Sequence, residues 1–104
     1  MPKKIKPVHP GEILRDEFMK PLGVSMNRMA LDLRVPITRI ADIVHERRGI
    51  TPDTAMRFGL YFKTSSTFWL NLQTRYDLEM MEGREAQQIA RDVRPLESAV
   101  GRDV

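Results

Sequence analysis

The sequence predicts an all-α fold of five helices that includes a helix-turn-helix, followed by a short extra C-terminal helix. Three observations predict it. Apolar residues recur at three- and four-residue spacing in successive stretches, as helices with one buried face require. The stretch from Ser25 to Arg48 reads as two short helices on either side of a tight turn. Thr51-Pro52-Asp53 is a strong start signal for a further helix, with a capping hydroxyl, a proline at the first helical position and an acid near the positive end.

In chain order, residues 1–8 carry Lys3, Lys4 and Lys6 among two prolines. That composition disfavours a helix and suits a flexible basic arm. The first helix opens at His9-Pro10-Gly11-Glu12 and continues until Pro21 and Gly23 stop it, with Leu14, Phe18 and Leu22 on its buried side. His9 and Glu12 lie three residues apart but do not make a metal site, because the only other histidine is His45 and no third ligand presents itself. His45 reads as an exposed residue near a helix C-terminus.

Ser25 caps the next helix, Met26 to Leu33. Arg34, Val35 and Pro36 interrupt it, and Pro36 starts a second helix that runs to about Glu46. Met29 and Leu33 share one face, Ile40 and Ile43 another, Val35 plugs the angle between them, and Ala30 is small where the helices cross. Arg34 falls where the turn calls for positive φ, a conformation that disfavours a side chain by roughly 1–2 kcal/mol. The outer side of the second helix then shows Ile37, Thr38, Arg39 and Asp42, with Arg47 and Arg48 beyond its end.

That face has the chemistry of a DNA reader. In this geometry the second helix lies in the major groove and the first crosses the backbone. Arg39 can donate two bonds to guanine, Thr38 one to a base or phosphate, and Ile37 can meet a thymine methyl; Asp42 can accept from cytosine or buttress Arg39. Ser25, Asn27 and Arg28, at the positive end of the first of the two helices, can hold a phosphate. A merely solvated polar face is the plainer alternative.

After Gly49 relaxes the backbone, the helix capped by Thr51 places Ala55, Phe58, Gly59 and Phe62 at core spacing. Gly59 allows close approach of a neighbouring helix. The longest helix, about Thr67 to Glu82, is anchored by Phe68, Trp69, Leu72 and Tyr76. Most of this wide stripe closes the core, and Tyr76 and Met80 or Met81, together with Trp69, are candidates for contact with a second subunit or partner. From Glu85 to Val93 a short amphipathic pattern carries Ala86, Ile89, Ala90 and Val93, too few residues to hold as a helix without a surface to pack on. Ile89 and Val93 are therefore candidate partner contacts as well, and Pro95 onward reads as a frayed tail.

The chain divides into the basic arm 1–8, a helix-turn-helix domain 9–82 and a C-terminal helix and tail 83–104. At 104 residues it is long enough to bury a core without disulfides or a structural metal. Having no cysteine, it has no thiol nucleophile and no cysteine-based zinc site. No apolar run is long enough to span a bilayer, and a cytoplasmic location is expected. The formal charge is +3, and the excess is N-terminal. Residues 1–24 and 25–51 each hold five Lys or Arg against three acids, whereas residues 52–104 hold seven against eight. The positive charge thus accompanies the reader, as phosphate binding requires.

Together these residues resemble one family, the HigA-type antitoxins, a VapI-like or addiction-module antidote branch of the lambda-repressor-like Xre helix-turn-helix proteins. The resemblance spans about residues 8 to 79. It rests on His9-Pro10-Gly11-Glu12 with Ile13-Leu14, Val35-Pro36 followed by Arg39-Ile40, Arg48-Gly49-Ile50-Thr51, and above all Phe68-Trp69-Leu70-Asn71-Leu72-Gln73 with Tyr76-Asp77-Leu78. It implies a homodimer that binds double-stranded operator DNA, represses its own operon and neutralises a HigB-like ribonuclease toxin of the RelE kind. By position it makes Thr38 and Arg39 reader residues and Arg47 and Arg48 phosphate clamps, with no catalytic residue, cofactor or metal. Relatives usually have Arg-Asn where this chain has Ile37-Thr38, and Gly where it has Glu46. The tail beyond Gly83 varies in the family. A stand-alone Xre-type repressor without a toxin is the alternative, a protein-only adaptor is the reading of another class, and an enzyme fits least.

Overall fold

A computed structural model describes residues 6–97, and within them the chain forms six helices and no strand. Most of the basic arm and the end of the tail lie outside the described residues. The first helix, α1 (residues 10–22), is capped by His9, whose Nδ1 accepts from the Gly11 N–H at 2.9 Å. Its middle, Leu14–Met19, winds as π-helix, and an α-helical turn, Lys20–Leu22, carries Pro21. Gly23, at φ +65°, ends the helix in the left-handed conformation glycine adopts without steric penalty. Pro21 therefore does not stop it.

The π segment corrects the expected buried face. Each wide turn takes an extra residue, which shifts the phase of everything after it. Leu14 is buried as expected and Phe18 packs against the core, but Met19 is buried and Leu22 is exposed.

Helices α2 (Met26–Leu33) and α3 (Ile37–Val44) form the helix-turn-helix. Ser25 Oγ accepts from the Arg28 N–H at 3.0 Å, closing the N-terminus of α2. Arg34 takes φ +59° and ψ +49°, the left-handed turn residue the sequence called for, and the Val35 N–H donates to the Ala30 carbonyl at 3.1 Å. Met29, Ala30, Leu33, Ile40, Ile43 and Val44 are all buried beneath this pair. The second helix ends at Val44, two residues earlier than expected, because Glu46 itself adopts φ +63°.

Helices α4 (Pro52–Phe62) and α5 (Ser66–Met80) pack extensively on each other, and α5 also crosses α1. Gly59 meets the backbone of Thr64 to Ser66, so it admits the connecting turn and not a neighbouring helix. Trp69 is fully buried among Phe18, Phe58, Phe62 and Phe68, with ring centroids 5.0 to 6.1 Å away. Its indole N–H donates to Thr64 Oγ1 at 2.8 Å. That position removes Trp69 from the candidate partner contacts: its own chain encloses it completely.

The last helix, α6 (Arg84–Asp92), begins after Gly83 at φ +92° and buries no residue. Among the described residues, no helix is long and apolar enough to cross a membrane.

Candidate nucleic-acid interface

Helix α3 has two chemically opposite sides. Ile40, Ile43 and Val44 are buried, while Ile37 and Thr38 are exposed and Arg39 and Asp42 are each about three-tenths exposed. Its N-terminus follows Pro36 directly, and the Arg39 N–H donates to the Pro36 carbonyl at 3.0 Å. Its C-terminus is closed by other elements: Arg15 of α1 donates through Nη1 to the Val44 carbonyl at 2.8 Å and sits 3.6 Å from the Glu46 carboxylate. Gly11 brings α1 against the same end, since a Cβ at residue 11 would collide with the Ile43 carbonyl.

The loop after α3 is fastened from α5. Gln73 Oε1 accepts from the Ile50 N–H at 2.6 Å, and Gln73 Nε2 donates to Asp77 at 2.9 Å. A Cβ on Gly49 would come within 2.7 Å of that Gln73 oxygen. Gly49 thus leaves room for the Gln73 carboxamide, which a side chain there would have to displace.

No family model matches the chain. Virulence-associated protein I of Dichelobacter nodosus is 53% identical over 75 residues, spanning 72% of this chain and 69% of the relative. The Pseudomonas aeruginosa antitoxin HigA, solved with the higBA promoter, superposes with a TM-score of 0.82 at 45% identity, covering 88% of this chain and 99% of that one. An addiction module antidote protein of the HigA family from Coxiella burnetii gives a TM-score of 0.82 at 39% identity, covering 88% and 100%. The chain belongs to the HigA-type antitoxin family.

In this HigA-type chain every arginine of the expected interface has a carboxylate partner. Arg47 holds Asp42 at 2.9 Å and Arg48 reaches the same carboxylate at 3.4 Å. Asp42 therefore gathers the two expected phosphate clamps and does not buttress Arg39. Arg39 instead donates to Asp53, on the first turn of α4, at 2.8 Å. Arg28 pairs with Asp32 at 2.9 Å, and the Tyr61 hydroxyl donates to Asp32 at 2.7 Å. The Tyr61 hydrogen bond, aided by Arg28, holds the Asp32 carboxyl below its ordinary range. Arg57 and then Arg39 do the same for Asp53. Ser25 and Asn27 are exposed at the start of α2.

Of the remaining partner candidates, Tyr76 is half-buried with its ring edge-on to His9 at 4.8 Å, whereas Met80, Ile89 and Val93 are exposed. Sequence reasoning reads Asp53 only as an acid at the start of a helix and misses Arg15, Arg57 and Gln73, of which Gln73 had a signal in its place in the Trp-Leu-Asn-Leu-Gln run.

His9, 4% exposed, gives the HigA-type fold a pH-sensitive joint. Burial lowers its pKa, against the opposing pull of Glu46 and Asp77. Its contribution to stability is complete above the unfolded value of 6.5 and declines as pH falls from there toward the folded value, because the unfolded chain takes up the proton first. Protonation at Nδ1 also removes the acceptor for Gly11. Urea titrations should show the wild type losing stability between about pH 7.5 and about pH 5.5. His9→Asn, which keeps a capping oxygen, should lose markedly less over that step; equal losses would exclude His9 as the cause.

Proposed function

We propose that this chain is a DNA-binding antitoxin that represses its own operon and neutralises a RelE-like, mRNA-cleaving toxin in the cytoplasm, acting by binding alone and not as an enzyme. One observation carries the DNA half of this reading. The N-terminal side of α3 presents Ile37, Thr38 and Arg39 outward over a fully buried underside. Arg47 and Arg48 stand exposed just past the helix end.

The active form is a homodimer whose two α3 helices sit about 34–36 Å apart, one turn of duplex, over a palindromic operator. Arg28, Arg47 and Arg48 contact phosphates, while Thr38 and Arg39 read bases with Ile37 on a thymine methyl. Met80, Ile89 of α6 and Val93 just past its end supply contacts to the second subunit or the toxin, with Tyr76 at their margin. A nine-residue helix that buries nothing in its own subunit is stabilised by such a surface.

Band shifts on DNA from upstream of the gene test this reading. Arg47→Ala should weaken binding to all duplexes and make the log–log salt dependence shallower by about one unit. An unchanged slope would remove Arg47 from the phosphate contacts. Copurification of a small ribonuclease encoded beside the gene supports the antitoxin role. An operator-binding dimer with no such partner would instead be a stand-alone repressor.

A further inference from the structure

Arg39 is the expected base reader, yet its guanidinium is already engaged in the protein itself. Asp53 Oδ1 accepts from Arg39 Nη1 at 2.8 Å and from Arg57 Nε at 2.7 Å. Arg57 Nη1 in turn donates to the Leu33 carbonyl at 2.8 Å, at the C-terminal end of α2. One carboxylate therefore joins the reader to α4, and through Arg57 to the turn of the helix-turn-helix.

We propose that Asp53 is a positioning residue for base recognition, holding Arg39 by one nitrogen so that its remaining donors are presented to a single guanine. This rests on Arg39 being a reader. An arginine fork has five N–H donors in a fixed plane. With Nη1 held by Asp53, the Nε and Nη2 donors remain free for guanine O6 and N7, and the plane of the fork is set before DNA arrives. Fixing the side chain in advance also reduces the ordering cost of binding.

The contribution of Asp53 to folding is a separate matter, and a small one. Its side chain is 57% exposed, and exposed ion pairs add little to stability. The start of α4 is already secured, because Thr51 caps it by accepting from the Thr54 N–H and Pro52 occupies the first turn. Asp53 also places a negative charge beside a surface that meets phosphates. A purely electrostatic design would omit it.

The test uses the full chain, a duplex selected by the wild type from a randomised pool, every single-base variant of that duplex, and a scrambled control. Asp53→Asn keeps the shape and removes the charge that holds Arg39. Discrimination at one or two base positions should fall about tenfold. Affinity for the scrambled duplex should stay the same or rise, since a repulsive charge has gone. Asp53→Glu should restore part of the discrimination, and Asp53→Asn should add nothing in an Arg39→Ala background.

If Asp53→Asn weakens both duplexes equally and lowers the melting temperature, the residue is structural and the proposal is overturned. It is overturned alone if Arg39→Ala loses discrimination while Asp53→Asn keeps it. Should Arg39→Ala itself keep full discrimination, the reader assignment falls and this proposal falls with it.

Discussion

Trp69→Ala is expected to destabilise the chain by about 3–5 kcal/mol, the range for emptying a fully buried aromatic site. The indole is 0% exposed and touches four phenylalanines drawn from α1, α4 and α5. Those helices cannot all close over the vacated volume, because α1 and α4 are each also committed to the helix-turn-helix. Set against the roughly 5–15 kcal/mol that holds a domain of this size folded, the loss is a large share of the total. Urea denaturation followed by far-UV circular dichroism measures it, since Trp69 is the single tryptophan and fluorescence disappears with it. Trp69→Phe separates the two contributions. It keeps most of the ring volume and loses the bond to Thr64, so it should cost clearly less than alanine. A near-neutral Trp69→Ala would mean that Trp69 is not the keystone of the aromatic cluster.

Much of this fold is legible in the sequence because helix ends are written in local chemistry. Ser25, and Thr51 followed by Pro52, lie within three residues of the groups they satisfy, and the structure places a cap or first turn at each. The need for positive φ at Arg34 is equally local. The errors arise where distance along the chain enters. Periodicity puts Leu22 inside and overlooks Met19 because a π segment changes the helical phase without any mark in composition. Trp69 stands among both the core anchors and the partner candidates, because an apolar stripe does not say which of its members its own chain will cover.

The interface shows the same division. The residues facing outward on α3 follow from periodicity, whereas their partners do not. A shared helix makes Asp42 a candidate buttress for Arg39 as well as a cytosine acceptor, but geometry gives Asp42 to Arg47 and Arg48 and gives Arg39 an acid 14 residues away. Arg15 closes the reader helix from 29 residues away. Ion pairs of this reach are set by how helices cross, and no spacing rule contains that information.

If the N-terminal side of α3 reads base sequence, Arg39→Ala should abolish part of that reading while leaving the fold intact. A bidentate arginine–guanine pair is worth about 1–3 kcal/mol of discrimination. The substitution leaves the buried underside of Ile40 and Ile43 untouched, and Asp53 retains Arg57 as a partner. The fold should therefore survive, and circular dichroism on the same sample checks that. The measurement is the ratio of dissociation constants for the selected duplex and its scrambled control, taken at one fixed salt concentration. That ratio should collapse by about tenfold or more, with base preference lost at one or two positions and scrambled-duplex affinity nearly unchanged. An equal fall for both duplexes, or no change in the ratio, would contradict base reading by α3.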